Sequence, residues 1–162
     1  MTLDEVRNML QQVEAELSTR ELRRAIKGSL NKEAKRVRRS AASYLRSAAV
    51  YKGGKLHNAS AVAKGIRAKV YKDYSGFIVA ANPYKKVGFY KNRRGLLKPV
   101  LMWANMGTQE RTRKGAKGSN GSMAAIDFIK KAENQAVPSS VRNIVVNYQN
   151  NVVKILRRHG GK

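Results

Sequence analysis

Apolar positions recur at helical spacing in two long stretches of the chain and at strand spacing between them. Near the start, Leu3, Val6, Leu10, Val13 and Leu17 predict a first helix of about 15 residues, opened by the Thr2–Glu5 capping box. Ser18 and Glu21 form a second such box and begin a longer helix. Its apolar face runs through Leu22, Ile26, Leu30, Ala34, Val37, Ala41 and Leu45 to Ala48, about seven turns or about 40 Å. Gly28 weakens this helix and offers a place for a kink. The Gly53–Gly54 pair ends it, and the chain to Ser60 reads as loop.

From Gly65 the period shifts towards two. Ile66, Ala68 and Val70 alternate with Arg67 and Lys69, the stretch from Asp73 to Gly76 is a turn, and Phe77–Ala81 returns as a second strand. After Asn82–Pro83, Tyr84 to Tyr90 is a candidate third strand, followed by a basic turn from Asn92 to Gly95. Pro138, Ser139 and Ser140 start a final helix with Val141, Val145, Tyr148, Val152, Ile155 and Leu156 on its apolar stripe. Arg157, Arg158 and His159 suit its C-terminal end, and Gly160 closes it. The sum is an α+β fold: long N-terminal helices, a small antiparallel sheet and C-terminal helices packed on it, within one domain spanning residues 1–162.

The stretch from Pro99 to Asn134 organises the rest. Val100, Leu101, Met102 and Trp103 make a compact apolar run between Pro99, which suits a first helical turn, and Gly107, which suits the left-handed residue past a helix end. Lys98–Met106 therefore reads as a short buried helix, with a strand as the alternative because Leu101, Trp103 and Asn105 alternate. The segment 109–121 carries Arg111, Arg113, Lys114 and Lys117, three glycines and nothing apolar larger than Ala116. Such a composition does not bury enough surface to order itself and predicts a mobile basic loop. Ser122 offers a cap for a following helix bearing Ile126, Phe128 and Ile129.

Charge changes the picture more than composition does. The chain of 162 residues has 34 Lys and Arg against 10 Asp and Glu, a net charge of +24. That field favours polyanions or acidic protein surfaces and destabilises an isolated compact monomer by self-repulsion. Five of the acids lie in the first 21 residues. Lys35, Arg36, Arg38 and Arg39 cluster on the long helix with only Glu33 among them. They form either a solvated face or a contact surface, and Arg93 and Arg94 add to the candidates. Trp103 is either a core residue or an interface anchor. There is no cysteine and no 18-residue apolar run, and the acidic start, Met1–Glu5, is unlike a signal peptide. His57 and His159 stand apart, no ligand spacing suggests a metal or cofactor, and no acid pair is spaced for catalysis; a non-enzymatic role is expected.

An aromatic-bearing segment ending in Gly–Thr, a polar basic loop and an aromatic near the start of a helix make a pattern that resembles the tail-completion, or neck, proteins of long-tailed double-stranded-DNA bacteriophages. Trp103, Met106, Gly107, Thr108 and Phe128 carry the likeness. Asn105 stands where an acid is usual, Met106 where a second aromatic is usual, and the two prolines that flank the later aromatic are missing. The resemblance implies a structural virion protein, assembled in the host cytoplasm, whose copies form a homo-oligomeric ring in the neck. Its partners would be the connector or head-closure protein, the tail or tail-terminator protein, and packaged double-stranded DNA contacted without sequence preference. Trp103, Met106, Gly107 and Phe128 are candidate core or interface anchors, and as core residues Trp103 and Met106 would hold the base of the loop. The rival class is a free nucleic-acid-binding protein of ribosomal or nucleoid type, supported by the charge and the basic loops but lacking a known reading motif.

Overall fold

The computed structural model describes residues 19–51, 59–81, 89–91, 94–109, 122 and 124–159. The predicted first helix, Leu3–Leu17, lies outside them. Eight elements follow in order: α1 (Thr19–Tyr51), α2 (Ala59–Ala63), β1 (Ile66–Val70), β2 (Phe77–Ala81), β3 (Tyr90–Lys91), β4 (Leu97–Lys98), α3 (Val100–Met106) and α4 (Phe128–His159). The class is α+β, with the two long helices antiparallel to each other and the β1–β2 hairpin lying on α1.

The predicted hairpin forms, pairing Ile66 with Ala81 and Val70 with Phe77. Its turn is held by Tyr71 N–H to Gly76 O at 3.0 Å and by Asp73 Oδ1, which accepts from Ser75 N–H and Oγ–H. Those two bonds hold the exposed Asp73 carboxyl below its ordinary pKa. The predicted third strand is corrected: Tyr90 and Lys91 pair with Leu97 and Lys98 in a separate two-stranded ribbon. Gly95, at φ 81°, permits the tight reversal that makes β4 rather than the hairpin the partner of β3. Residues 84–88 of the predicted strand are outside the described set.

The core is built on small residues. Val37, Ala41 and Leu45 of α1 meet Ile66, Leu101 and Ala104, and Phe128, Ala132 and Ala136 of α4 close it. A second, smaller cluster joins Ala25 to Val152 at the far end of the helix pair. Between the two lies a polar ladder. Asn151 Nδ2 donates to Ala25 O and Ser29 Oγ, both at 3.1 Å, and Lys32 Nζ donates to Asn147 Oδ1 at 2.6 Å. Ser140 Oγ donates to Glu33 Oε1 at 2.7 Å, and Ser40 Oγ to Gln135 Oε1.

Glu33 is the centre of that ladder and is only 2% exposed. Burial pushes its carboxyl pKa up and is the largest single influence. Hydrogen bonds from Arg36, Ser140 and Asn143, with the Arg36 charge, outweigh it and leave the pKa below the ordinary value. Arg36 reaches Glu33 through Nε and Nη2 and also donates to Ala136 O and Ser139 Oγ.

Packing explains one helix expectation and corrects another. Gly28 leaves α1 continuous from Thr19 to Tyr51. A Cβ there would stand 3.2 Å from Asn151 Nδ2, so Gly28 is a point of close approach between helices. Pro138 does not start a helix; it lies inside α4, which begins ten residues earlier at Phe128. Proline in a helix interior costs about 3 kcal/mol. Burial of Phe128, Ala132 and Ala136 against α1 offsets that cost, because it extends the apolar stripe beyond the proline.

Candidate functional site: the base of the basic loop and the cationic face of α1

The predicted basic loop, residues 109–121, lies outside the described residues apart from Gln109, and the described segments on its two sides, the end of α3 and the start of α4, are fastened together. Pro99 precedes α3 with φ −77°, and the helix read for Lys98–Met106 is realised as Val100–Met106. Gly107 follows at φ 78°, where an L side chain is strained, and its N–H donates to Trp103 O at 2.8 Å. On the return side, Ile126 N–H donates to Ala104 O at 2.9 Å and Asp127 N–H to Asn105 O at 3.1 Å. Asn105 Oδ1 then accepts Ile129 N–H at 3.2 Å. The last turn of α3 thus supplies the cap of α4 from a different element, the task expected of Ser122. Ser122 is exposed and outside any helix, and residues 124–127 are non-helical.

Phe128 is fully buried beneath this clamp, and Leu101 and Ala104 are buried with it. Trp103 is half-buried. Met106 is 70% exposed, because its place two residues after Ala104 turns it away from the face that Leu101 and Ala104 bury, so it is not a core residue and its interface reading alone stands as a candidate. Arg111, Arg113, Lys114 and Lys117 lie outside the described residues, as does Arg93. Arg94 is exposed at the β3–β4 turn, far along the chain from the α1 cations.

The four cations predicted on α1 divide. Lys35, Arg38 and Arg39 are exposed. Arg36 is engaged inside the molecule, 2.6 Å from Glu33 Oε1 with 43% of its side chain accessible. A richer cationic group was missed one helical stretch earlier. Arg20, Arg23, Arg24 and Lys27, spaced i, i+3, i+4 and i+7, share one face and line a crevice of about 400 Å³ with Thr19 and Tyr74. Tyr74 comes from the β1–β2 turn, where it adopts φ 59°. The cationic spacing is visible in the sequence; the tyrosine wall is not, since only the fold brings residue 74 to residue 20.

Chemically, guanidinium forks on one helix face suit phosphate oxygens, and an aromatic wall suits a base or sugar. Such contacts position a polyanion without reading its sequence. Among the described residues, no three His, Cys, Asp or Glu side chains come together as a metal site. No described helix is long and apolar enough to cross a membrane. No protein-family profile, curated protein or solved structure matches this chain.

Proposed function

We propose that this chain is a structural virion protein of the neck of a long-tailed double-stranded-DNA bacteriophage, forming a ring that joins the DNA-filled head to the tail. One observation carries the reading: a short aromatic helix ending in Gly107–Thr108 and a long helix opened by Phe128 are fastened at the base of a basic loop. A basic segment whose two ends are held this way is suited to engaging a neighbouring ring or the DNA that passes through. The α1 cations supply sequence-independent attraction for that DNA. The role is one of docking and sealing, without catalysis.

Electron microscopy of particles assembled with and without the chain tests the reading. Loss of the protein leaves filled heads separate from finished tails, and labelled protein maps to the junction between them. Joined particles in its absence, or label elsewhere, would overturn it.

A second reading, a free nucleic-acid-binding protein, is favoured by the crevice between α1 and Tyr74. It predicts that the protein sits on cellular DNA or RNA and is missing from purified particles, which mass spectrometry of those particles decides.

A further inference from the structure

We propose that the outer face of α4, with the adjoining edge of β2, is the surface through which one copy of this chain packs against another. From Asn134 to Val153, twenty residues of sequence carry a single charge, Arg142. Over the same length of α1, from Arg20 to Arg39, there are eleven charged side chains, nine of them cations. One side of this stretch of α4 packs on α1 through Ala136, Ser140 and Asn151, and the other side is left open. Val137 is 59% exposed, Val141 73% and Val145 48%, with Val146 and Val153 also exposed along the helix. Ile78 of β2 is exposed beside them. Between this ridge and β2 runs a mainly apolar groove of about 430 Å³, lined by Val37, Ala41, Phe77 and Ala132 with Glu133 as its charged member and no cation.

A run of valines at helical spacing on the solvent side is costly to leave in water, and contiguous apolar surface marks an interface. The charge pattern selects the occupant. Nucleic acid is drawn to the cationic faces and offers little apolar surface to cover valines. An acidic protein would likewise be held by α1, where the attraction is. A second copy of a +24 chain meets the opposite constraint: it repels every cationic face and approaches without juxtaposed cations only where charge is absent. Interface centres are depleted of charged side chains in the same way. A ridge beside a groove also lets the ridge of one copy enter the groove of the next, a head-to-tail contact of the kind that makes a ring when its rotation closes. The inference rests on the ring reading for its biological use, by naming the face through which copies would join, but not for its physics.

The salt dependence separates this contact from electrostatic binding. Screening weakens attraction between opposite charges but relieves repulsion between like ones, so self-association here strengthens as salt rises. The test is sedimentation of the purified full chain, up to on the order of 100 μM for a contact of micromolar strength, at low and high salt. The expected result is a mass that is a multiple of 18.1 kDa and grows with salt in the wild type. Val141→Lys with Val145→Lys should be a monomer with an unchanged circular dichroism spectrum. Should that variant lose its helix, Ile78→Lys, on a different element, makes the same test. A wild type that stays monomeric at every salt, or variants that associate as the wild type does, would overturn the inference. A protein that self-associates through this face yet is absent from virus particles would sink the neck reading and leave the contact standing.

Discussion

The helices α1 and α4 are almost equal in length, 33 and 32 residues, and they pack antiparallel along a shared seam. Facing inward they are alike, with alanines in the core and serines, Asn151 and Glu33 in the ladder. Facing outward they differ: α1 is studded with cations, whereas the middle of α4 is valine and amide. The contrast teaches that charge in this molecule is distributed by element rather than as a uniform coat. The total of +24 sets how strongly polyanions are attracted; the partition decides which faces remain open to other contacts.

The likeness of the inner faces breaks most severely at Phe128. Phe128→Ala should cost about 3–5 kcal/mol, since it empties a fully buried site where α4, α3 and α1 meet. Chemical denaturation measures it, and a cost below about 1 kcal/mol would mean the site collapses freely. Next is the ladder. Glu33→Gln should cost about 2 kcal/mol, because it removes the buried charge that Arg36 and Ser140 engage while Arg36 can still turn to water. The lowered carboxyl pKa gives a direction in pH. The contribution of Glu33 is fully present above about 4.5, the ordinary value, and is lost as pH falls through the lower folded value. Wild-type stability should therefore fall on acidification below that point more steeply than that of Glu33→Gln, and parallel acid limbs would refute the assignment.

A smaller effect sharpens the comparison at the start of α4. Asn105→Ala should cost about 1 kcal/mol through loss of the cap on Ile129 N–H, while Asn105→Asp should retain it. Hydrogen exchange at the first turn of α4 reads the change directly. The smallest expected effect on stability belongs to the outer face of α1. Lys35→Gln with Arg38→Gln should alter stability by no more than about 0.5 kcal/mol. The same pair should lower the salt slope of DNA binding by about one for each phosphate contact removed. Unchanged salt dependence would assign these two cations to solvent.

Much of the outward pattern was legible in the sequence because it is local. The alternation from Ile66 to Val70, the turn and the return strand need only near neighbours, and the hairpin forms between those bounds. The α1 stripe likewise needs only periodicity. What was hidden depends on partners far along the chain. Pro138 is a strong local stop signal, overridden by the packing of Phe128, Ala132 and Ala136 on α1. Ser122 is a good local cap, but the acceptor used is Asn105, 24 residues before the amide it serves. Met106 is apolar enough for the core, yet its position two residues after Ala104 places it on the opposite side of the helix. The crevice was half legible: four cations on one helical face could be read from spacing, and Tyr74 could not.

The fastening of α3 to α4 has a consequence for how such a chain can change over time. With Ala104 and Asn105 holding Ile126, Asp127 and Ile129, the two ends of the intervening segment are fixed by bonds that do not depend on what lies between. Closing a longer connection between fixed ends costs only about 0.6 kcal/mol more for each doubling of length. Changes of length or charge between Gln109 and Ala125 therefore leave the donors and acceptors of this fastening in place. The scaffold can stay constant while this one segment is rewritten to suit a different neighbour.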